Sequence, residues 1–120
     1  MNDPDPRSTI LVVEDEWLLG DYVGDILSEA GFSVRGPVRS VAEALDLLAT
    51  DTIDCAALDV HLVDESSFPI AEYLALHGIP FFFMTGYTAA DLPPQFQNRP
   101  MLSKPIDVAA LKAMANGLSG

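Results

Sequence analysis

ILVVEDE, residues 10–16, joins two kinds of chemistry without a break. Four apolar residues, three of them β-branched, make the short run that parallel sheets bury on both faces. Acids follow at once, where such a strand would leave the sheet. Open α/β sheets hold their ligands outside the carboxyl ends of their strands, so this join raises the question of what else ends there.

Three further apolar runs break off in the same way. CAAL (residues 55–58) runs into Asp59, FFFM (81–84) into Thr85 and Gly86, and MLS (101–103) into Lys104 and Pro105. FSVRGPV (32–38) alternates like a strand, with Gly36 and Pro37 pointing to an edge position or a bulge. Between these runs lie helical patterns. Leu19, Val23, Ile26 and Ala30 recur at helical spacing with Asp21, Asp25 and Glu29 on another face, and Gly31 stops them. Ser40 and Glu43 form a capping-box pattern ahead of Val41, Ala44, Leu45 and Leu48. A loop over 60–67 leads to a helix from about Pro69 to Gly78, and Asp107 caps a closing helix with Val108, Leu111, Ala115 and Leu118 inward. Pro93 and Pro94 leave the stretch between the last two strands short or irregular. Five strands alternating with five helices predict a doubly wound α/β domain, a parallel sheet with helices on both faces. Residues 1–8 are expected to form a flexible arm and residues 9–120 the domain.

Composition narrows the function. The chain has 120 residues, 49% of them hydrophobic, and 18 acids against 6 bases give a net charge of -12. Such a surface repels phosphate backbones and anionic lipid, so neither nucleic acid nor membrane is an expected partner. No apolar run approaches the roughly 20 residues needed to span a bilayer, and the polar start lacks a signal-peptide core, so a cytoplasmic location is expected. Cys55 is the only cysteine and lies in an apolar run, which excludes an internal disulfide and makes it a core residue. Trp17 is expected to pack at the start of the first helix, and His77 to sit at the surface or cap a helix end.

Three acids, a hydroxyl and an ammonium thus converge on one rim: Glu14, Asp15, Asp59, Thr85 and Lys104. Packed carboxylates repel one another unless a cation or a shared proton relieves them. Oxygen-only donors with room for water and phosphate oxygens favour Mg²⁺ over Ca²⁺. A metal and Lys104 would neutralise phosphoryl oxygens, Thr85 would donate to one of them, and a carboxylate would be the nucleophile.

ILVVEDE, ALDVHL, MTGY and LSKPI, in this order and spacing, resemble the receiver domain of two-component response regulators over almost the whole chain. The resemblance implies a flavodoxin-like, CheY-like fold with strand order 2-1-3-4-5. It implies that Asp59 accepts a phosphoryl group from a sensor histidine kinase or phosphotransfer protein, that Asp15 and Glu14 with the His61 main-chain carbonyl hold Mg²⁺ beside Asp59, and that Thr85 and Lys104 contact the phosphoryl group. It also implies a switching module and not an enzyme, acting on a downstream protein that the sequence does not name, with a cis bond common before Pro105. The His61 imidazole would face solvent over the site. Two departures stand out. Met101 replaces the usual Phe or Tyr of the fifth strand, which leaves Tyr87 and the segment after it to carry the motion of Thr85. FMTGY and PMLSKPI resemble the FATGUY receivers of alphaproteobacteria, often single-domain, except for Met84 in place of alanine and Tyr87 directly after Gly86. Other readings are a receiver-like scaffold that is never phosphorylated, a receiver cut from a larger regulator, a phosphatase similar to the haloacid dehalogenases, and a flavin-binding relative. The phosphatase needs an acid where His61 stands, and the flavin site needs a hydroxyl- and glycine-rich loop where EDEWL stands.

Overall fold

A computed structural model describes residues 8–86 and 92–119. The expected arm, apart from Ser8, and Tyr87 lie outside the described residues. Five strands, β1 (Thr9–Val13), β2 (Ser33–Val38), β3 (Cys55–Asp59), β6 (Phe81–Thr85) and β7 (Met101–Ser103), form one sheet in the order β2-β1-β3-β6-β7. All four pairings are parallel. This is the expected order, with the strands of the sheet taken as first to fifth.

Side-chain parity along the buried strands sorts the core into two halves. Leu11, Val13, Ala56, Leu58, Phe81 and Phe83 face one way and pack on α2 (Val41–Thr50) and α3 (Phe68–Leu76). Ile10, Val12, Cys55, Ala57, Phe82 and Met84 face the other way and pack on α1 (Trp17–Glu29) and α4 (Val108–Ser119). The three successive phenylalanines therefore serve both cores. Burial pushes the Cys55 thiol up to about 12, as suits a core residue.

The helix boundaries follow local chemistry. Gly31 adopts φ 104° after α1, where only glycine is at ease. At α2, Ser40 Oγ accepts from the Glu43 amide at 3.2 Å, while the Glu43 carboxylate reaches past Ser40 to the Arg39 amide at 2.8 Å. Asp107 accepts from the Ala110 amide at 2.9 Å and caps α4. His77 ends α3 with Nδ1 at 2.8 Å from the Tyr73 carbonyl and its ring stacked on Tyr73.

Three expectations need correction. Among the described residues there are four α-helices, not five, and the described part of the segment before β7 contains a 3₁₀ turn, Pro94–Phe96. The paired prolines withhold the amides that a longer helix would need. What the turn supplies instead is Phe96, 2% exposed and stacked on Phe68 at 5.6 Å. The loop over 60–67 contains a small antiparallel hairpin, β4 (His61–Leu62) with β5 (Glu65–Ser66). Trp17 does not pack: it is 63% exposed, because the buried stripe of α1 begins only at Gly20.

β2 is both an edge strand and irregular, its register with β1 shifting between Leu11 and Val13. Gly36 sits at φ 100°, and a Cβ there would lie 2.6 Å from the Val12 carbonyl oxygen. Pro37 then meets α1 so closely that a Cβ on Gly20 would stand 2.8 Å from its Cβ and 2.9 Å from its Cγ. Alanine at an ordinary helix position gains about 1 kcal/mol over glycine. Overpacking against a proline ring costs about 1–3 kcal/mol, so Gly20→Ala is expected to lower the urea midpoint; a raised midpoint would show that the α1–β2 contact yields easily.

Candidate functional site

Registers bring the four strand ends to one rim. Val13 pairs with Leu58, Asp59 with Met84, and Thr85 with Ser103. Past the end of β1, the Glu14 amide donates to the Val38 carbonyl at 2.9 Å, so its backbone is still tied to the sheet. The Lys104 amide donates to the Thr85 carbonyl at 2.9 Å, which fixes the start of the Lys104 segment beside Thr85. The bond between Lys104 and Pro105 is cis, as is that between Gly36 and Pro37.

The side chains close a compact charged cluster. Glu14 is 0% exposed and Asp59 6%, while Asp15 is half-buried. Carboxylate oxygens of Glu14, Asp15 and Asp59 lie within 4.8 Å of one another. Lys104 Nζ donates to Asp59 Oδ1 at 3.2 Å. It also stands 3.1 Å from Glu14 Oε1, close enough for ion pairing, yet among the described residues that buried oxygen has no hydrogen-bond donor. The other Glu14 oxygen accepts from the Glu16 amide at 3.1 Å.

One ammonium faces three carboxylates. Two full charges at such a separation repel by roughly 3–4 kcal/mol at an effective dielectric constant near 20. Burial, with the Asp59 charge added, pushes the Glu14 carboxyl up to about 7. Asp59 is also raised, burial being the largest cause and the Lys104 ammonium opposing it. Burial alone would lower Lys104, but Asp59 and Glu14 outweigh it and hold the ammonium above its ordinary value. The site therefore carries more negative charge than its own lysine neutralises. An all-oxygen donor set, with one buried oxygen lacking a donor, fits a hard divalent cation.

The remaining sequence candidates fall as follows. Thr85 is 1% exposed at the end of β6. His61 is exposed and begins the hairpin two residues beyond Asp59. Among the described residues a Cβ on Gly86 would meet nothing within 4 Å. Met101 is half-buried, opposite Phe83, and packs into the α2/α3 core. Sequence reasoning missed Glu65, whose Oε2 accepts from the Val41 amide at 2.9 Å. No local spacing signals it, since the two residues are 24 apart. It also missed an exposed apolar strip on α1, where Trp17, Leu18 and Tyr22 are 63%, 77% and 44% exposed beside a cleft lined by Glu16, Leu19, Lys104 and Pro105.

Raised carboxyls carry a definite pH signature. Folded Glu14 keeps its proton up to about pH 7, whereas the unfolded chain releases it near 4.5. The folded state thus binds more protons across that window, and stability falls as pH rises through it. In EDTA, the wild type is expected to lose more stability than Glu14→Gln between about pH 5 and pH 7.5, read as the difference in urea midpoints. Parallel pH curves for the two proteins would contradict the assignment.

No family model matches the chain. Among solved structures, it is similar to SdrG from Sphingomonas melonis Fr1, with 36% identity over 96% of this chain and 98% of that one and a TM-score of 0.83. A structure of the BeF3-activated conformation of SdrG, given as from Pseudomonas melonis Fr1, is 35% identical, covering 93% and 96% of the two chains, with a TM-score of 0.79. A response regulator receiver domain (CheY-like) from Methylobacillus flagellatus shares the fold at a TM-score of 0.80 and 24% identity, over 93% of this chain and 98% of that one. A curated relative, the sensory transduction protein LytR of Staphylococcus haemolyticus, is 35% identical over 63 residues, 52% of this chain. The chain matches only about 25% of that relative's length. With the expected strand order, the acidic strand ends and these likenesses in agreement, the chain belongs to the receiver-domain family of two-component response regulators.

Proposed function

We propose that the protein is a phosphoacceptor receiver, taking a phosphoryl group from a sensor histidine kinase or phosphotransfer protein onto Asp59 and passing the signal to a protein partner. The observation that carries this is the state of Asp59: a nearly buried carboxylate at a strand end, bonded to Lys104 and crowded by Glu14 and Asp15. A scaffold that used its acids only as helix caps would not need this arrangement, because Asp59 precedes a hairpin and has no helix terminus to cap. An origin in a longer regulator is compatible with the same chemistry.

In the transfer, the other Asp59 oxygen attacks the phosphorus of a phosphohistidine, a P–O bond forms, and the P–N electron pair leaves with the imidazole. The Lys104 ammonium, already on Asp59 Oδ1, holds the carboxylate in place and balances charge on the phosphoryl oxygens. Thr85 supplies a hydroxyl donor from the neighbouring strand end. Glu14, Asp15, Asp59 and the His61 main-chain carbonyl would hold Mg²⁺, which when bound neutralises phosphoryl charge. Among the described residues nothing crowds a Cβ at Gly86, which suits an incoming imidazole, and the exposed strip of Trp17, Leu18 and Tyr22 offers apolar area to the protein that delivers it. Among the described residues no helix is long and apolar enough to cross a membrane.

Incubation with acetyl phosphate and Mg²⁺ followed by intact-mass measurement tests the assignment. The wild type is expected to gain one phosphoryl group, and Asp59→Asn or an EDTA control none. An adduct that persists in Asp59→Asn, or no adduct in the wild type, would overturn it.

A further inference from the structure

From the geometry of the hairpin that follows Asp59, we infer that Glu65 is a positioning residue of the phosphoacceptor site, acting through the backbone of residues 60–67. This rests on the phosphoacceptor reading above. The segment is closed at its base by the Ser67 amide donating to the Val60 carbonyl at 2.9 Å. Within it His61 pairs with Ser66 and Leu62 with Glu65, and Asp64 turns the chain at φ 59°. Two-residue strands make a weak hairpin by themselves. Leu62, 6% exposed, anchors one side of it in the α2/α3 core.

Glu65 anchors the other side. Its Oε2 accepts from the amide of Val41, the first residue of α2. First-turn amides have no partner inside their own helix, and a carboxylate there also meets the positive end of the helix dipole. Ser40 and Glu43 satisfy the amides of Glu43 and Arg39, so the Val41 amide is left for Glu65. A helix held to the sheet by Ala44 and Leu48 thereby fixes the strand opposite Leu62. The adjoining pair contains His61, whose main chain is assigned to the metal site. Losing the tether leaves Asp59 in the sheet but frees the chain just beyond it. Glu65 is exposed and touches no reacting atom, so its influence is on geometry.

The test compares Glu65→Ala, Glu65→Gln and Glu43→Ala with the wild type by calorimetric Mg²⁺ titration and by amide hydrogen exchange without metal. Both Glu65 variants lose the charge, but only alanine loses the acceptor. Glu65→Ala is expected to weaken Mg²⁺ binding by about three- to tenfold and to speed exchange across residues 60–67, with Glu65→Gln within about twofold of wild type. Glu43→Ala, which loosens the same helix end without touching the hairpin, is expected to keep wild-type Mg²⁺ affinity. Wild-type affinity in Glu65→Ala, equal weakening in Glu65→Gln, or equal weakening in Glu43→Ala would each overturn the positioning role. Failure of the wild type itself to bind Mg²⁺ would overturn the phosphoacceptor reading and this inference with it.

Discussion

Glu14 and Asp59 are buried side by side, and the site follows from that constraint. Desolvation and mutual repulsion both oppose ionising the pair, and one lysine cannot neutralise two buried carboxylates and the half-buried Asp15 beside them. Such a cluster is poorly placed to stabilise the fold, since removing charge from water costs several kcal/mol per ion before any pairing is counted. It does store a demand for positive charge at a fixed place. In the proposed function a hard cation and the lysine would satisfy that demand, and Asp59 would lie where phosphate is neutralised.

The rest of the fold keeps this cluster from relaxing. β1 and β3 are paired in register beneath the two carboxylates, with apolar cores on both faces. The bond from the Glu14 amide to Val38 ties the end of β1 to the edge strand, and close contact between Gly20 and Pro37 sets α1 against that strand. On the other side, the bond from the Lys104 amide to Thr85 makes the positions of the ammonium and the hydroxyl interdependent. Shifting one strand end by a residue would turn its acid into the core.

Much of this was legible in the sequence because strand ends are local features. An apolar run that stops abruptly at a polar or charged residue needs no tertiary knowledge to be noticed, and four such stops, at Glu14, Asp59, Thr85 and Lys104, imply a shared rim once the sheet is parallel. The Ser40–Glu43 and Asp107 caps are equally local. What was not legible depends on contacts across the chain. The tether from Glu65 to Val41 joins residues from separate elements, and the exposure of Trp17 depends on where the buried stripe of α1 begins. Pro93 and Pro94 announced that a helix would be interrupted, but not that Phe96 would replace it by stacking on Phe68 and meeting Phe83 edge-on. Met101, visible as an anomaly, packs in the same core as Phe83 and Phe96.

Charge crowding among the buried carboxylates is what a bound cation would relieve. Carboxylates must lose their protons to bind metal, and Glu14 still holds one near neutral pH. Calorimetric titration of Mg²⁺ at about pH 6.5, in two buffers of different ionisation enthalpy, measures the protons displaced directly. Saturable binding is expected, with net proton release that diminishes above about pH 8. Binding with no proton release, or no binding at all, would contradict it.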